Sequence, residues 1–264
     1  MSTITNIIRS QLKLVLELSK NDFKNRYAGS FLGIIWAFIQ PLMTIAVYWF
    51  VFEVGFRSGN RPDGTPFILW LTCGMIPWFF FSEGLLTSSN SFLEYSYLVK
   101  KINFRIGLLP IVKIVSSFFI HIFFLILLIG TLLYFGYYPD LVYIQVFYYL
   151  FCTFFLLIGL SLIMSSLVVF IKDALQVLGI FMQIGFWLIP IVWSPEIISD
   201  KFIMWFKLNP VYYLVEGYRD TFINHVWFWH RYNQTTYFWV VSIFIFLLGV
   251  YLFRKLKPHF ADVL

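Results

Sequence analysis

Six runs of the chain contain no Asp, Glu, Lys or Arg: Tyr27–Phe52, Gly64–Ser82, Ile114–Pro139, Leu141–Ile171, Ala174–Pro195 and Tyr232–Phe253. A helix needs about 20 mainly apolar residues to cross the hydrocarbon core of a bilayer. Each run reaches or nearly reaches that length, and the second continues past Glu83. Lipid offers no partner to a free backbone N–H or C=O, so such runs must close their hydrogen bonds internally, as helices. Charged residues make up 12% of the chain, against about 25% in an ordinary soluble domain, which leaves too little polar surface for a water-soluble fold. The sequence therefore predicts an all-α, polytopic membrane protein. Six transmembrane helices are expected at about 29–52, 65–88, 110–135, 142–170, 174–193 and 233–253. Cys73 and Cys152 fall in different spans and are expected to pack as free thiols.

Charge sets the orientation. With the N-terminus in the cytoplasm, 13 of the 19 Lys and Arg residues lie on inside segments, as the positive-inside rule requires. Both termini are then cytoplasmic. The same rule accounts for the net charge of +6 without a nucleic-acid partner. Residues 1–26 read as a cytoplasmic amphipathic interface helix, with Ile4, Ile7, Ile8, Leu12, Val15 and Leu18 at helical spacing and polar residues opposite. They lack the basic patch and short apolar core of a cleaved leader. A transmembrane domain follows over 27–257, with a short cytoplasmic tail at 258–264.

Within the first span, Gln40-Pro41 predicts a bend. Glu83 sits near the inner end of the second, where a carboxylate either reaches the interface or faces protein or water. Between spans five and six, Ser194-Pro195 and Asn209-Pro210 are two helix starts, each a capping residue followed by proline. They predict a re-entrant or interfacial pair, about Pro195–Phe206 and Pro210–Asn224, each too short to span. In the second, Glu216 reaches Arg219 at i+3 and faces Asp220 at i+4.

Several chemistries lack their residues. No G-x-x-x-x-G-K-[ST] loop occurs, so no nucleotide site of that kind is expected on this chain. No Cys/His cluster has metal-ligand spacing, and no nucleophile–base–acid set assembles. The best polar cluster for an integral-membrane enzyme such as an acyltransferase is Glu216, Arg219 and Asp220 with His225 or His230. Aromatic residues are abundant, at 22%. Trp36, Tyr48, Trp49, Trp70, Trp78 and Trp187 combine a flat face with a polar tip inside the spans, as a surface over which a sugar polymer slides would need.

Asn25-Arg26-Tyr27, Ser30, Leu32-Gly33, Trp36-Ala37 and Pro41 resemble the opening of type-2 ABC transporter permeases that export bacterial polysaccharides. The resemblance continues in order through Gly74, Ile76-Pro77-Trp78, Phe80, Ser89 to Lys100, Lys172-Asp173, Gln183, Pro190-Ile191, Asn209-Pro210 and Phe260-Ala261-Asp262. Exporters of O-antigen and teichoic acid are the nearest class, with capsule exporters related. Two positions depart from the pattern. Arg105 stands where proline is expected, and Lys172 where arginine is usual, keeping the charge without the bidentate fork.

The resemblance implies a bacterial inner-membrane permease, not an enzyme. It implies a homodimer working with two copies of a cytoplasmic ABC ATPase, which would hold ATP and Mg; no cofactor is expected on this chain. The implied cargo is a polyprenyl-diphosphate-linked polysaccharide, most simply an O-antigen, with capsule, teichoic acid, a small molecule or a lipid as alternatives. The channel would follow the dimer axis, lined by spans one and five, with Trp36, Tyr48, Trp49, Trp78 and Trp187 as candidates. Arg26 and Tyr27 would mark the substrate entrance. Glu94, Tyr95, Tyr97, Lys100, Lys101, Lys172 and Asp173 would meet the ATPase. The outer gate would include Asn209, Pro210, Glu216, Arg219 and Asp220.

Overall fold

A computed structural model describes residues 2–29, 31–56, 64–100, 105–195 and 198–264. Ser30 and Lys101, both used in the sequence reading, lie outside the described residues. Among the described residues the chain is all-helical, with no strand. Helix α1 spans Ser2–Arg26. A 3₁₀ turn, Gly33–Ile35, leads into α2, Trp36–Trp49, which ends in a π-helical turn, Phe50–Gly55. Then come α3 (Phe67–Ser89), the short α4 (Ser91–Glu94) and α5 (Ser96–Val99), α6 (Leu108–Tyr134) and α7 (Val146–Phe170). The chain closes with α8 (Ala174–Leu188), α9 (Asp200–Lys207), α10 (Pro210–Phe222), α11 (Tyr232–Leu256) and α12 (Phe260–Val263).

Helix α3 is the axis of the molecule. It packs on α6, α7 and α10, with α2 and α8 along its remaining side. Leu69, Leu71, Cys73 and Met75 are wholly buried. Small residues let the other helices close in, as lipid-embedded packing requires. The hydroxyls of Ser88 and Ser161 meet at 2.6 Å between α3 and α7. Helix α11 crosses α7 where a Cβ on Gly249 would lie 2.5 Å from the Gly159 carbonyl oxygen. A second, smaller core gathers Phe92, Val99, Ile106, Leu109, Val169 and Phe260. It pins α4 and α5 to the end of the chain through Phe92, whose ring lies 5.2 Å from that of Phe260.

Among the described residues, five helical stretches are long and apolar enough to cross a membrane: Gly33–Gly55, Phe67–Ser89, Leu108–Tyr134, Leu141–Phe170 and Phe228–His259. The fifth expected span is shorter. Helix α8 has 15 residues, about 22 Å at 1.5 Å per residue, against a hydrocarbon core of about 30 Å. Its end is set by Pro190, which disfavours helical geometry at the residue before it; Ile189 is extended, with φ −102° and ψ 139°. Ile189, Ile191 and Val192 are nevertheless buried.

The α-helix expected to start at Ser194-Pro195 starts instead at Asp200. Asn209-Pro210 does begin α10: the Asn209 side chain accepts from the Val211 N–H at 3.0 Å. The two helices have opposite surroundings. Val211–Phe222 is buried throughout between α3, α7 and α11, while Phe202, Met204 and Trp205 on α9 are exposed.

Candidate functional site

The polar residues of α1 gather where that helix lies on α6. Ser19 donates to the Val15 carbonyl at 2.7 Å and to the Val112 carbonyl of α6 at 3.0 Å. One turn on, Asp22 is 2% exposed. Its carboxylate lies 2.6 Å from the Lys113 ammonium, accepts from the Tyr95 hydroxyl at 2.7 Å and faces Arg26 at 3.3 Å. Burial alone would raise the Asp22 pKa; the contacts with Lys113, Ser116 and Tyr95 outweigh it and hold the carboxyl below its ordinary value. Lys113 also binds Glu94 at 2.6 Å. Arg26 pairs with Glu83 of α3 as well and points toward Ser116 at 3.4 Å. Burial acts to lower the Arg26 pKa, but Glu83 and Asp22 prevail and raise it.

Arg26 and Tyr27 line a cavity of about 380 Å³ with Ala37, Gln40, Pro41, Thr44, Phe79, Ser82, Glu83, Leu86 and Thr87. A second cavity, about 340 Å³, opens on the other side of Arg26, between Leu86, Thr87, Asn90, Glu94, Lys113 and Leu175. The two sequence-chosen residues thus share a polar cavity between α1, α2 and α3. The sequence reading counted Lys113 only as an inward-side charge and did not join Asp22 and Glu83 to Arg26. The i,i+4 spacing of Asp22 and Arg26 was available as a signal. Their pairing with Lys113 and Glu83 needs the tertiary fold.

The outward face of α2 carries a second pattern. Trp36, Gln40, Thr44 and Tyr48 recur every fourth residue and line a shallow groove of about 500 Å³ with Ile39, Met43 and Val47. Helix α8 stands beside it, with Tyr48 and Trp187 rings 6.3 Å apart. Gln176, Gln183 and Trp187 are exposed on α8. Trp49 is exposed too. Trp78 differs from the other chosen aromatics: it is buried under α8, its ring 6.0 Å from that of Phe186, behind the exposed faces rather than on them.

Along the segment after α3, Glu94, Tyr97 and Lys100 are exposed and Tyr95 half-buried. Lys172 and Asp173 form the exposed turn before α8; Lys101 is outside the described residues.

In α10, Arg219 is 2% exposed. It donates to Glu216 at 2.6 Å and to the Ile191 carbonyl at 3.2 Å, and its guanidinium lies 3.5 Å over the Trp70 ring. Gly74 leaves it room, since a Cβ there would stand 2.7 Å from an Arg219 nitrogen. Asp220 pairs with Arg231. This polar group is enclosed by packed helices and fastens the broken end of α8 to α10. His225 pairs with Asp140 at 2.7 Å, and His230 is exposed.

Residues 13–223 match the family described as ABC-2 type transporter. Two proteins of Klebsiella pneumoniae, each named O-antigen export system permease protein RfbA, are 25% identical over 260 residues, 95% of this chain and 95% of theirs. A protein of the same name from Myxococcus xanthus is 26% identical over 216 residues, 80% of this chain and 81% of its own.

Proposed function

The chain belongs to the ABC-2 type transporter family, and from that membership we propose that it is the permease subunit of an ATP-driven exporter of a lipid-linked polysaccharide of the O-antigen type. Its end-to-end likeness to proteins named as O-antigen export permeases supports the substrate class. A cytoplasmic ATPase subunit, in two copies, supplies hydrolysis of ATP with its Mg. The protein lies in the bacterial inner membrane with both termini inside. Helix α8 and the buried segment 189–192 together complete a sixth crossing.

One structural observation carries the channel. Gln40, Thr44 and Tyr48 on α2 and Gln176 and Gln183 on α8 place polar groups along exposed faces of helices that run through the membrane. An amide facing hydrocarbon, with nothing to bond, is costly, so these faces suit a hydrated path or a protein partner. By contrast the exposed face of α11 offers Val240, Ile243, Phe244, Leu247 and Leu248, as lipid demands. Two copies related by a two-fold axis would bring both stripes around one path. Aromatic faces and amide tips there present many weak contacts to passing sugars.

The test is reconstitution of the co-purified permease and ATPase in vesicles with lipid-linked glycans. An O-antigen-type lipid should stimulate hydrolysis and reach the far leaflet. Stimulation only by capsule, teichoic-acid or simple lipid substrates would reassign the cargo. Activity of the chain alone, without nucleotide, would refute the exporter reading.

A further inference from the structure

Five ionic side chains at the inner end of the helices follow one another without a break: Glu94, Lys113, Asp22, Arg26 and Glu83. They come from α4, α6, α1 and α3. One end is wet, because the Glu94 side chain is 48% exposed. The middle is dry, with Asp22 at 2% and Lys113 at 4%. The far end borders the cavity shared by Arg26 and Glu83. Packing alone does not call for such a chain, since apolar residues of similar volume usually stabilise a protein as well as a buried ion pair. Breaking one dry link leaves a buried charge unpaired, so neighbouring links respond to each other. Asp22 is the junction. It serves Lys113, Tyr95 and Arg26 together.

We propose that Asp22 and Lys113 are positioning residues that pass a displacement of segment 91–99 to Arg26 at the cavity wall. The inference rests on the reading that this segment meets the ATPase. When Glu94 and Tyr95 withdraw, Lys113 loses one of its two carboxylates and Asp22 loses a hydroxyl donor. Lys113 then leans wholly on Asp22, which is left with less charge for Arg26, so Arg26 shifts toward Glu83. The Arg26–Glu83 pair tightens and the polar wall between the two cavities closes. In the reverse direction, an anion or sugar that draws Arg26 away from Asp22 is felt at Glu94, as linkage between sites requires.

Thr87 lines both cavities, and a Thr87→Cys variant reports on that wall. Cys73 and Cys152 are wholly buried and stay silent toward a charged maleimide. In the protein without its partner, adding Glu94→Gln is expected to lower the Thr87→Cys labelling rate by about tenfold, within the ordinary range of coupling between sites, and a raised rate would overturn the proposal. Glu94→Asp, which keeps the charge, should return it toward the parent rate. An unchanged rate in Glu94→Gln would overturn the proposal, and so would a changed rate that Glu94→Asp does not correct. In the ATPase complex, Glu94→Gln should lower glycan exported per ATP hydrolysed; equal losses in export and hydrolysis would mark a structural role only. A wild-type complex that hydrolyses ATP but moves no glycan refutes the substrate reading, while the labelling result still decides the ladder.

Discussion

Asp22 shows how much one side chain changes meaning with its surroundings. In the sequence it interrupts a basic patch. In the fold it is buried against Lys113, Tyr95 and Arg26, and its carboxyl is held below its ordinary value. The sign of the consequence follows. A depressed folded-state pKa contributes stability in full above the unfolded value, about 3.9 for Asp, and loses it as pH falls through the folded value. The purified protein in detergent should therefore lose thermal stability steeply below about pH 4. Asp22→Asn should be less stable at neutral pH and show a flatter acid limb; a limb as steep as wild type would mean that Asp22 does not carry it. The i,i+4 relation to Arg26 was legible from spacing. Lys113 was not, because 91 positions of chain separate it from Asp22 and only the docking of α1 on α6 joins them. Arg219 repeats the lesson in α10. The i+3 pair with Glu216 was readable, but the Ile191 carbonyl and Trp70 ring were not. Arg219→Met should cost about 3–5 kcal/mol, the usual penalty for stranding one member of a buried pair. Melting in detergent measures it, and adding Glu216→Gln should recover part of the loss.

Helices show the reverse balance, since charge-free runs announce them and only their ends escape notice. Five runs became helices of spanning length because composition alone forces backbone bonds inward in lipid. The fifth in chain order broke at Leu188. The Pro190 responsible is visible in the sequence, but α3 also carries Pro77 and stays helical through it. Beyond the break at Pro190 the Ile191 carbonyl is taken by Arg219, 28 positions later in the chain. After Ser194-Pro195 the chain is 3₁₀-helical at Pro195, 196–197 lie outside the described residues, and the α-helix α9 begins at Asp200. Close helix contact is a further property of elements. A methyl on Gly249 meets the Gly159 backbone at 2.5 Å, where no side-chain rotation relieves it. Gly249→Ala should therefore force α11 off α7 and cost about 1–3 kcal/mol, as overpacking does. Gly130→Ala, with open space around its Cβ position, is the matched comparison. Equal stability of the two variants would mean that α11 does not seat on α7 as described.

At the scale of the whole molecule the unresolved force is exposure. Only 11% of the apolar window in Gly33–Gly55 is buried, against 78% in Phe67–Ser89. Lipid accounts for exposed apolar side chains without any partner, so exposure by itself does not argue for a second copy. The polar stripe does, since the amides of Gln40 on α2 and Gln183 on α8 gain nothing from hydrocarbon. A two-fold dimer that apposes α2 and α8 predicts which surfaces meet. Cysteines placed singly at Val47 or Ile184, both exposed, should form disulfide-linked dimers in native membranes. A cysteine at Phe151, equally exposed on the far helix α7, should not. The buried Cys73 and Cys152 keep the background clean. Dimers at Phe151 as abundant as at Val47 would mean random collision in the bilayer. Dimers at Phe151 alone would move the interface to α7 and leave the polar stripes to line a path within one chain.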